Sequence, residues 1–344
     1  MQELKSRISG SANAQAVVPE DRMAQAAEIS SSEWRQEIVR LLSSPTTADW
    51  DKARALRDSH LPPRLYRYRV GDDRSFDALC RGAVWLSAAG AFNDVHDTSV
   101  TANLVEGLAP GLRTALEQGK FNSLPQPSLE KLEQAEDIVA ALDEVFVEEV
   151  TKAAGAEVGK RAVGFFRQVA ARHGAQMSQQ LTAFFQGKAK IGCFCEAYDV
   201  PLLWAHYANS HQGFCVEYPI DAMPADDLRR RWLWPVVYSD RRFDLVSLIQ
   251  RQGGLQNVNG PVLAAMHKAP NWEYEREWRI VDQTGDPPPG REIAMPKPSR
   301  IFVGSRMAPQ FRDRIVRFAV ASRIPVSEII ADTQGFGLTA TPVT

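Results

Sequence analysis

The chain has 344 residues, with 40 Lys and Arg against 42 Asp and Glu, a formal net charge of −2. So even a balance excludes broad, sequence-independent nucleic-acid binding, although a local basic patch is compatible with it. Hydrophobic content of 44% and charged content of 24% are those of an ordinary soluble globular protein, and no apolar run is long enough to span a bilayer and no signal-peptide core follows Met1, so cytoplasmic synthesis without membrane association is the expectation.

Residues 1–30 are rich in Ala, Gln, Ser and charge without apolar periodicity, which predicts a mobile tail. Ser32 is placed to cap a helix through Trp34, Ile38, Leu41 and Leu42, and Asp49 to open another through Ala53 to Leu56. After Pro62 and Pro63, RLYRYR (64–69) predicts a strand with Leu65, Arg67 and Arg69 on one face and Tyr66 and Tyr68 on the other. Ser75–Arg81 reads as a helix stopped at Gly82, followed by a strand, AVWLS, at 83–87. The loop at 88–97 carries Asn93, Asp94, His96 and Asp97. Such residues either shape the loop through side-chain turns or belong to a site, and Asp94, His96 and Asp97 could hold a divalent metal.

From about Leu104 to Phe185 the apolar spacing is helical. Ser128 fits an N-cap and Gly155 a stop, and two further helices are predicted near 157–173 and 175–186, separated by Gly174 and closed by Gly187. Strand signals return at IGCFCE (191–196). Cys193 and Cys195 have a one-residue gap, which is not a zinc spacing, and are expected in the core. Asp199 is placed to cap a short helix on which Leu203, His206 and Tyr207 share a face beside Trp204, and GFCVEY (213–218) reads as a strand with Phe214, Val216 and Tyr218 on one side.

An apolar run at Pro235–Ser239, a helix at Asp244–Arg251, a Gly- and Asn-rich loop at 252–261 and a helix around 261–268 lead to HKAPNWEYEREWRIV (267–281). Alternation on a strand starting at Glu275 would put Glu275, Glu277 and Arg279 on one face and Trp278 and Ile280 in a core. That charged face is either a solvated edge with a cross-strand ion pair or the lining of a site. A stiff turn at Pro287–Gly290, a buried strand IFVGS (301–305), a helix through Phe311, Ile315 and Phe318 and a last strand VSEIIAD (326–332) complete the chain. No internal repeat, GxGxxG or Walker pattern is present. The elements predict an α+β fold: a mixed or antiparallel sheet core with N-terminal helices, in one domain (31–344) split by a helical insertion at about 104–187.

LYRYR (65–69), WLSAAGAFND (85–94), PLLWAHYANSHQGFCVEY (201–218), VVYSD (236–240), WEYEREWR (272–279) and IFVGSRM (301–307) occur in order. Together they resemble the bacterial family called domain of unknown function 2971, over about 60–307. That family implies no chemistry. The order of a basic residue on a first strand, a Ser-bearing strand and a late E-x-E is also similar to that of ADP-ribosyltransferases. Arg67, Ser87 and Glu275-Arg276-Glu277 are the corresponding residues. The resemblance implies NAD as the nucleotide cofactor, with Arg67 on its phosphates. Glu277 would lie beside the nicotinamide ribose, stabilising an oxocarbenium-like transition state, and Glu275 would orient an acceptor, either protein or nucleic acid. WLSAAG offers one Ser where that family has Ser-Thr-Ser, and His206-Tyr207 has no counterpart.

A fixed carboxylate stabilises positive charge on a sugar in a water-poor site, and an Arg fork suits a diphosphate. Glu277, Glu275 and His206 are therefore the catalytic candidates. Arg67, Tyr66, Ser87, Asn93, Asp94, Tyr207 and Arg279 are the cofactor-binding candidates, with Tyr66, Tyr68, Trp204 and Tyr207 available for stacking. Such an enzyme, a transferase or glycohydrolase, fits a toxin or defence effector, and export as an effector stays compatible with the sequence. Two other readings stay open. One is a metal-dependent phosphodiesterase or nuclease, with Asp94, Asp97, Glu275 and Glu277 on Mg²⁺ and His206 as base. The other is a nucleotide-sensing or interaction module without turnover.

Overall fold

The computed structural model describes residues 33–246, 248, 258–285 and 290–343. The predicted tail at 1–30, the Ser32 cap, most of the 252–261 loop, the end of the Asp244–Arg251 helix and Pro287–Pro289 lie outside the described residues. The first helix, α1 (33–42), buries Ile38, Leu41 and Leu42. The second, α2 (Thr47–Ser59), is capped by Thr46, which accepts the Asp49 N–H; Asp49 sits in the first turn, where its charge suits the helix dipole.

The predicted α+β class holds. Strands β1 (Arg64–Arg69), β2 (Ala83–Ala88), β3 (Val100–Thr101), β4 (Lys190–Cys195), β5 (Phe214–Pro219), β6 (Leu233–Pro235), β7 (Val237–Tyr238), β8 (Phe243–Asp244), β9 (His267–Lys268), β10 (Glu277–Asp282), β11 (Gly290–Ala294), β12 (Arg300–Val303), β13 (Val326–Ala331) and β14 (Leu338–Pro342) follow in chain order. Ten of them form one sheet in the order β11-β2-β4-β1-β5-β12-β13-β14, with β10 paired to both β4 and β6. Every pairing in it is antiparallel except β12 with β13. β3–β8 and β7–β9 are small parallel pairs. Asp244 ends β8 and also opens the predicted helix: its Oδ1 accepts the Val246 N–H at 3.2 Å, and the described residues 245, 246 and 248 are helical. β14 escapes a sequence reading because LTATP alternates weakly and buries no residue fully.

Alternation assigns the two sheet faces. Leu65, Leu86, Phe194, Phe214, Val216, Tyr218, Trp278 and Ile280 share one core. Tyr68, Cys195, Leu203, Trp204, Cys215 and Phe302 share another across the sheet. Helix α3 (Asp73–Cys80) begins two residues before its predicted start because Asp72, not a serine, caps it by accepting the Ser75 N–H.

The helical insertion comprises α4 (Ala109–Glu117), α5 (Gln126–Gln134), α6 (Ile138–Ala154) and α7 (Ala156–Lys188). The predicted cap at Ser128 is replaced by Asp137, which accepts the Val139 and Ala140 N–H groups, while the Ser128 hydroxyl bonds Glu149. Gly155, at φ 92°, ends α6 as expected. Gly174 does not break α7, which runs through it for 33 residues. It is small because β3 passes close by: a Cβ there would lie 2.6 Å from the Ala102 carbonyl oxygen. That backbone is pinned, since Ser178 Oγ accepts from Ala102 N–H at 2.8 Å and donates to the Gly174 carbonyl at 2.8 Å. Helix propensity favours Ala over Gly by about 1 kcal/mol, but overpacking costs about 1–3 kcal/mol. Gly174→Ala should therefore lose about 1 kcal/mol of unfolding free energy in urea. Gly164→Ala, on the same helix with no neighbour within 4 Å, should gain stability. Equal gains in both would refute the close-approach account.

Candidate active site in a fork of the sheet

One edge of β4 is paired along its length with β10, from Glu277↔Cys195 to Asp282↔Lys190. Two strands share the other edge. β2 takes Lys190 and Ile191, through Ala88 and Ser87, and β1 meets β4 only at Tyr66↔Cys195. Between these contacts the strands part, and a cleft of ≈ 210 Å³ opens in the fork. Arg67 ties the parted strands, with Nη1 donating to the Cys193 carbonyl at 3.0 Å and Nη2 to the Trp85 carbonyl at 3.0 Å. These oxygens lie in buried backbone that must be satisfied by something other than a ladder. Gly192 lets the two sides close on one another, because a Cβ there would fall 2.5 Å from Leu86 Cδ2 and 3.4 Å from Arg67 Nη1.

The cleft also holds a chain of buried charges. Helices α9 (Leu228–Arg231) and α10 (Gly260–Met266) precede β9, from which Lys268 donates to Glu275 Oε2 at 2.6 Å and to Glu277 Oε2 at 2.9 Å. Arg279 grips Glu277 through Nε (2.8 Å) and Nη2 (2.9 Å), and Asp97 through Nη1 and Nη2 (2.7 Å each). It also donates to the Ala265 carbonyl at 2.7 Å. The Tyr207 hydroxyl donates to Glu275 Oε1 at 2.8 Å, and Asn93 bonds that hydroxyl in turn. The Tyr238 hydroxyl accepts the Glu277 backbone N–H at 2.9 Å. Lys268 lies over the Trp272 ring, 4.8 Å from its centroid.

These contacts treat the two glutamates differently. Burial pushes the Glu277 carboxyl up, but Arg279 and Lys268 outweigh burial and hold it at about 2. Burial raises Glu275 above the usual carboxylate range, with Lys268 only partly offsetting it. Burial and the Glu275 carboxylate push the Tyr207 phenol up, so it stays a donor at neutral pH. Glu277 is thus a locked anion inside an ion-pair chain. Glu275 is the carboxyl whose protonation responds to what enters the cleft.

The structure corrects several site expectations. Glu275 is not on the strand. It ends a 3-10 helix, Pro270–Glu275, Arg276 follows in the left-handed region at φ 43°, and β10 starts at Glu277. The turn, not strand alternation, brings both carboxylates to Lys268. Nor is β10 an edge, since it lies between β4 and β6 and all six of its residues are buried. On helix α8 (Pro201–Tyr207), Leu203 is buried and Tyr207 enters the cleft, but His206 is exposed and does not line it. Residues 206 and 207 stand about 100° apart around a helix, so a narrow buried stripe takes only one of them. Val200 occupies the N-cap without a side-chain bond, so Asp199 does not cap α8.

Asp94 also lies off the cleft, where its Oδ1 accepts the His96 N–H at 2.9 Å in a turn of its own loop. Tyr66 borders the cleft, but its ring packs with Tyr198 and Phe302 (centroids 5.8 and 6.1 Å) and its hydroxyl meets Glu217. Trp204 is fully buried, bonded to the Tyr198 carbonyl at 2.7 Å. Arg67, Ser87, Asn93, Tyr207, Glu275, Glu277 and Arg279 do line the cleft together. Among the described residues, no group of three or more His, Cys, Asp or Glu side chains is placed to hold a metal ion. Sequence reading missed Lys268, whose only signal is a lone lysine before the aromatic and acidic run.

No helix of the described residues is long and apolar enough to cross a membrane. No curated protein and no solved structure matches the chain. The stretch from Leu203 to Ile280, which supplies Tyr207, Lys268, Glu275, Glu277 and Arg279 to the cleft, matches the family described as "Protein of unknown function (DUF2971)", and it is this family that the chain resembles.

Proposed function

We propose that the cleft takes NAD as substrate and cleaves its nicotinamide–ribose bond, passing the ADP-ribosyl group to water or to a protein or nucleic-acid acceptor. One observation carries this reading: a buried, lysine-bridged carboxylate pair shares a single cleft with arginines of β1. In such a reaction the C–N bond breaks, the electron pair leaves with nicotinamide, and positive charge develops on the ribose carbon. A carboxylate held in a water-poor site stabilises that charge. Glu275 fits this role better than Glu277, whose charge Arg279 and Lys268 already take up. Glu275 also suits the proton that the incoming water or hydroxyl must lose as its bond to the ribose forms. Tyr207 and Lys268 fix its orientation, and Asn93 fixes that of Tyr207.

The test is nicotinamide release from NAD by the purified protein, with and without chelator and candidate acceptors. Release should resist chelator and fall by about 10²–10³-fold in Glu275→Gln, the size of losing one charge-stabilising group. Absent release in every condition, or equal release by the variant, would overturn the proposal. The complete pairing of Glu277 favours a second reading, a nucleotide-sensing module without turnover. NAD bound and recovered intact would select it.

A further inference from the structure

Four basic residues, Arg67, Arg69, Lys268 and Arg279, line the cleft against three acidic ones, Asp97, Glu275 and Glu277. Lys268 and Arg279 take all three carboxylates. The two arginines of β1 that line the cleft, Arg67 and Arg69, are left without one among the described residues. They are not equivalent. Arg67 is spent on the parted strands, as its two bonds to the Cys193 and Trp85 carbonyls show. Its buried Nε has no hydrogen-bond partner among the described residues. Arg69, two residues on and so on the same face, lines the cleft with no ion pair or side-chain hydrogen bond among the described residues. Asp72, whose field reaches it, is exposed and makes no ion pair with it; its Oδ1 accepts the Ser75 N–H as the cap of α3. A half-buried guanidinium with five donors and no acceptor is costly to keep unless a ligand completes it.

We infer that Arg69 is the anion-binding residue of the cleft, that it takes the diphosphate of a nucleotide ligand, and that Arg67 holds the fork open beside it. The inference rests on the dinucleotide reading for its ligand, but its geometry needs only a phosphorylated one. The guanidinium group suits phosphate oxygens because its planar fork can donate two parallel bonds. Burial and the neighbouring Arg67 charge pull Arg69 down to about 10, the direction expected of a cation lacking a counter-ion. A ligand so held would put its phosphates at β1 and its sugar at Tyr207 and Glu275.

The experiment is calorimetric titration of the full chain with inorganic pyrophosphate, in the wild type, Arg69→Gln and Arg69→Lys. Wild-type protein should bind. Arg69→Gln should weaken binding at least tenfold and Arg69→Lys less, because lysine keeps the charge but not the planar fork. Since Arg69 has no ion pair or side-chain hydrogen bond among the described residues, its replacement should leave the unfolding midpoint in place. Failure of wild type to bind pyrophosphate overturns the inference whatever the variants do, as does equal binding by Arg69→Gln. Pyrophosphate binding without nicotinamide release would keep Arg69 and discard the glycosidic chemistry. Nicotinamide release without an Arg69-dependent anion site would do the reverse.

Discussion

Arg279→Met should destabilise the protein by about 3–5 kcal/mol, the usual cost of removing one partner from a buried ion pair. Arg279 is fully buried, and it is the only cation bonded to Asp97 among the described residues, while Glu277 keeps Lys268 as well. Removing it leaves Asp97 with the Thr98 hydroxyl, which bonds Oδ1 at 2.9 Å, as its side-chain donor. The expected penalty therefore comes from an uncompensated carboxylate more than from lost packing, because Met nearly fills the same volume. Adding Asp97→Asn tests this directly. The double variant should recover part of the loss, since neutralising the orphaned charge removes most of its desolvation cost. Urea unfolding of the wild type, Arg279→Met, Asp97→Asn and the double variant gives the comparison. A loss below about 1 kcal/mol for Arg279→Met, or strict additivity in the double variant, would contradict the buried chain.

Acid should weaken the protein in a window set by Glu277. An unfolded glutamate titrates near 4.5, while Glu277 in the fold is held at about 2 by Arg279 and Lys268 acting against burial. Between these values the unfolded chain binds a proton that the folded one does not. The contribution of Glu277 is complete above pH 4.5 and is lost as pH falls toward 2, with a slope of up to about 1.4 kcal/mol per pH unit. Glu275 works in the opposite sense. Its raised folded pKa means that the fold binds the proton first, so its contribution is present below 4.5 and is lost as pH rises through the raised value. Unfolding free energies in pH steps should show the acid loss in wild type, a flatter acid limb in Glu277→Gln, and a flatter limb above pH 4.5 in Glu275→Gln. An unchanged acid limb in Glu277→Gln would mean that the carboxylate is not held down by its partners.

The two predictions reach the same structural point from different sides. The Lys268–Glu277–Arg279–Asp97 chain joins β9, β10 and the loop before β3 behind the cleft. Its charges are spent on one another, so it acts as a rigid wall against which Glu275 and Tyr207 are set. On the proposed reading, the cleft groups left to meet a ligand are Glu275, joined to that chain through Lys268, and Arg69 on β1.

The sequence by itself determined the strands whose two faces differ. RLYRYR separated Leu65, Arg67 and Arg69 from Tyr66 and Tyr68, and GFCVEY put Phe214, Val216 and Tyr218 into one core, because a period of two reports directly on which face is buried. It also marked Glu275, Glu277, Tyr207 and Arg67 as residues hard to explain by packing, and all four line the cleft. Only the tertiary structure decided what they do. Arg279 finds Asp97 across 182 positions, and Arg67 finds the Cys193 carbonyl across 126. No local pattern encodes partners so distant, since periodicity describes one element and ion pairing depends on how several meet. Gly174 was legible as a glycine but not as a point of close approach, and His206 and Tyr207 were legible as a pair but not as one exposed and one inward residue. The fork that makes the cleft arises because β1 and β2 compete for a single edge of β4, a consequence of strand order in the assembled sheet that neither strand carries in its own residues.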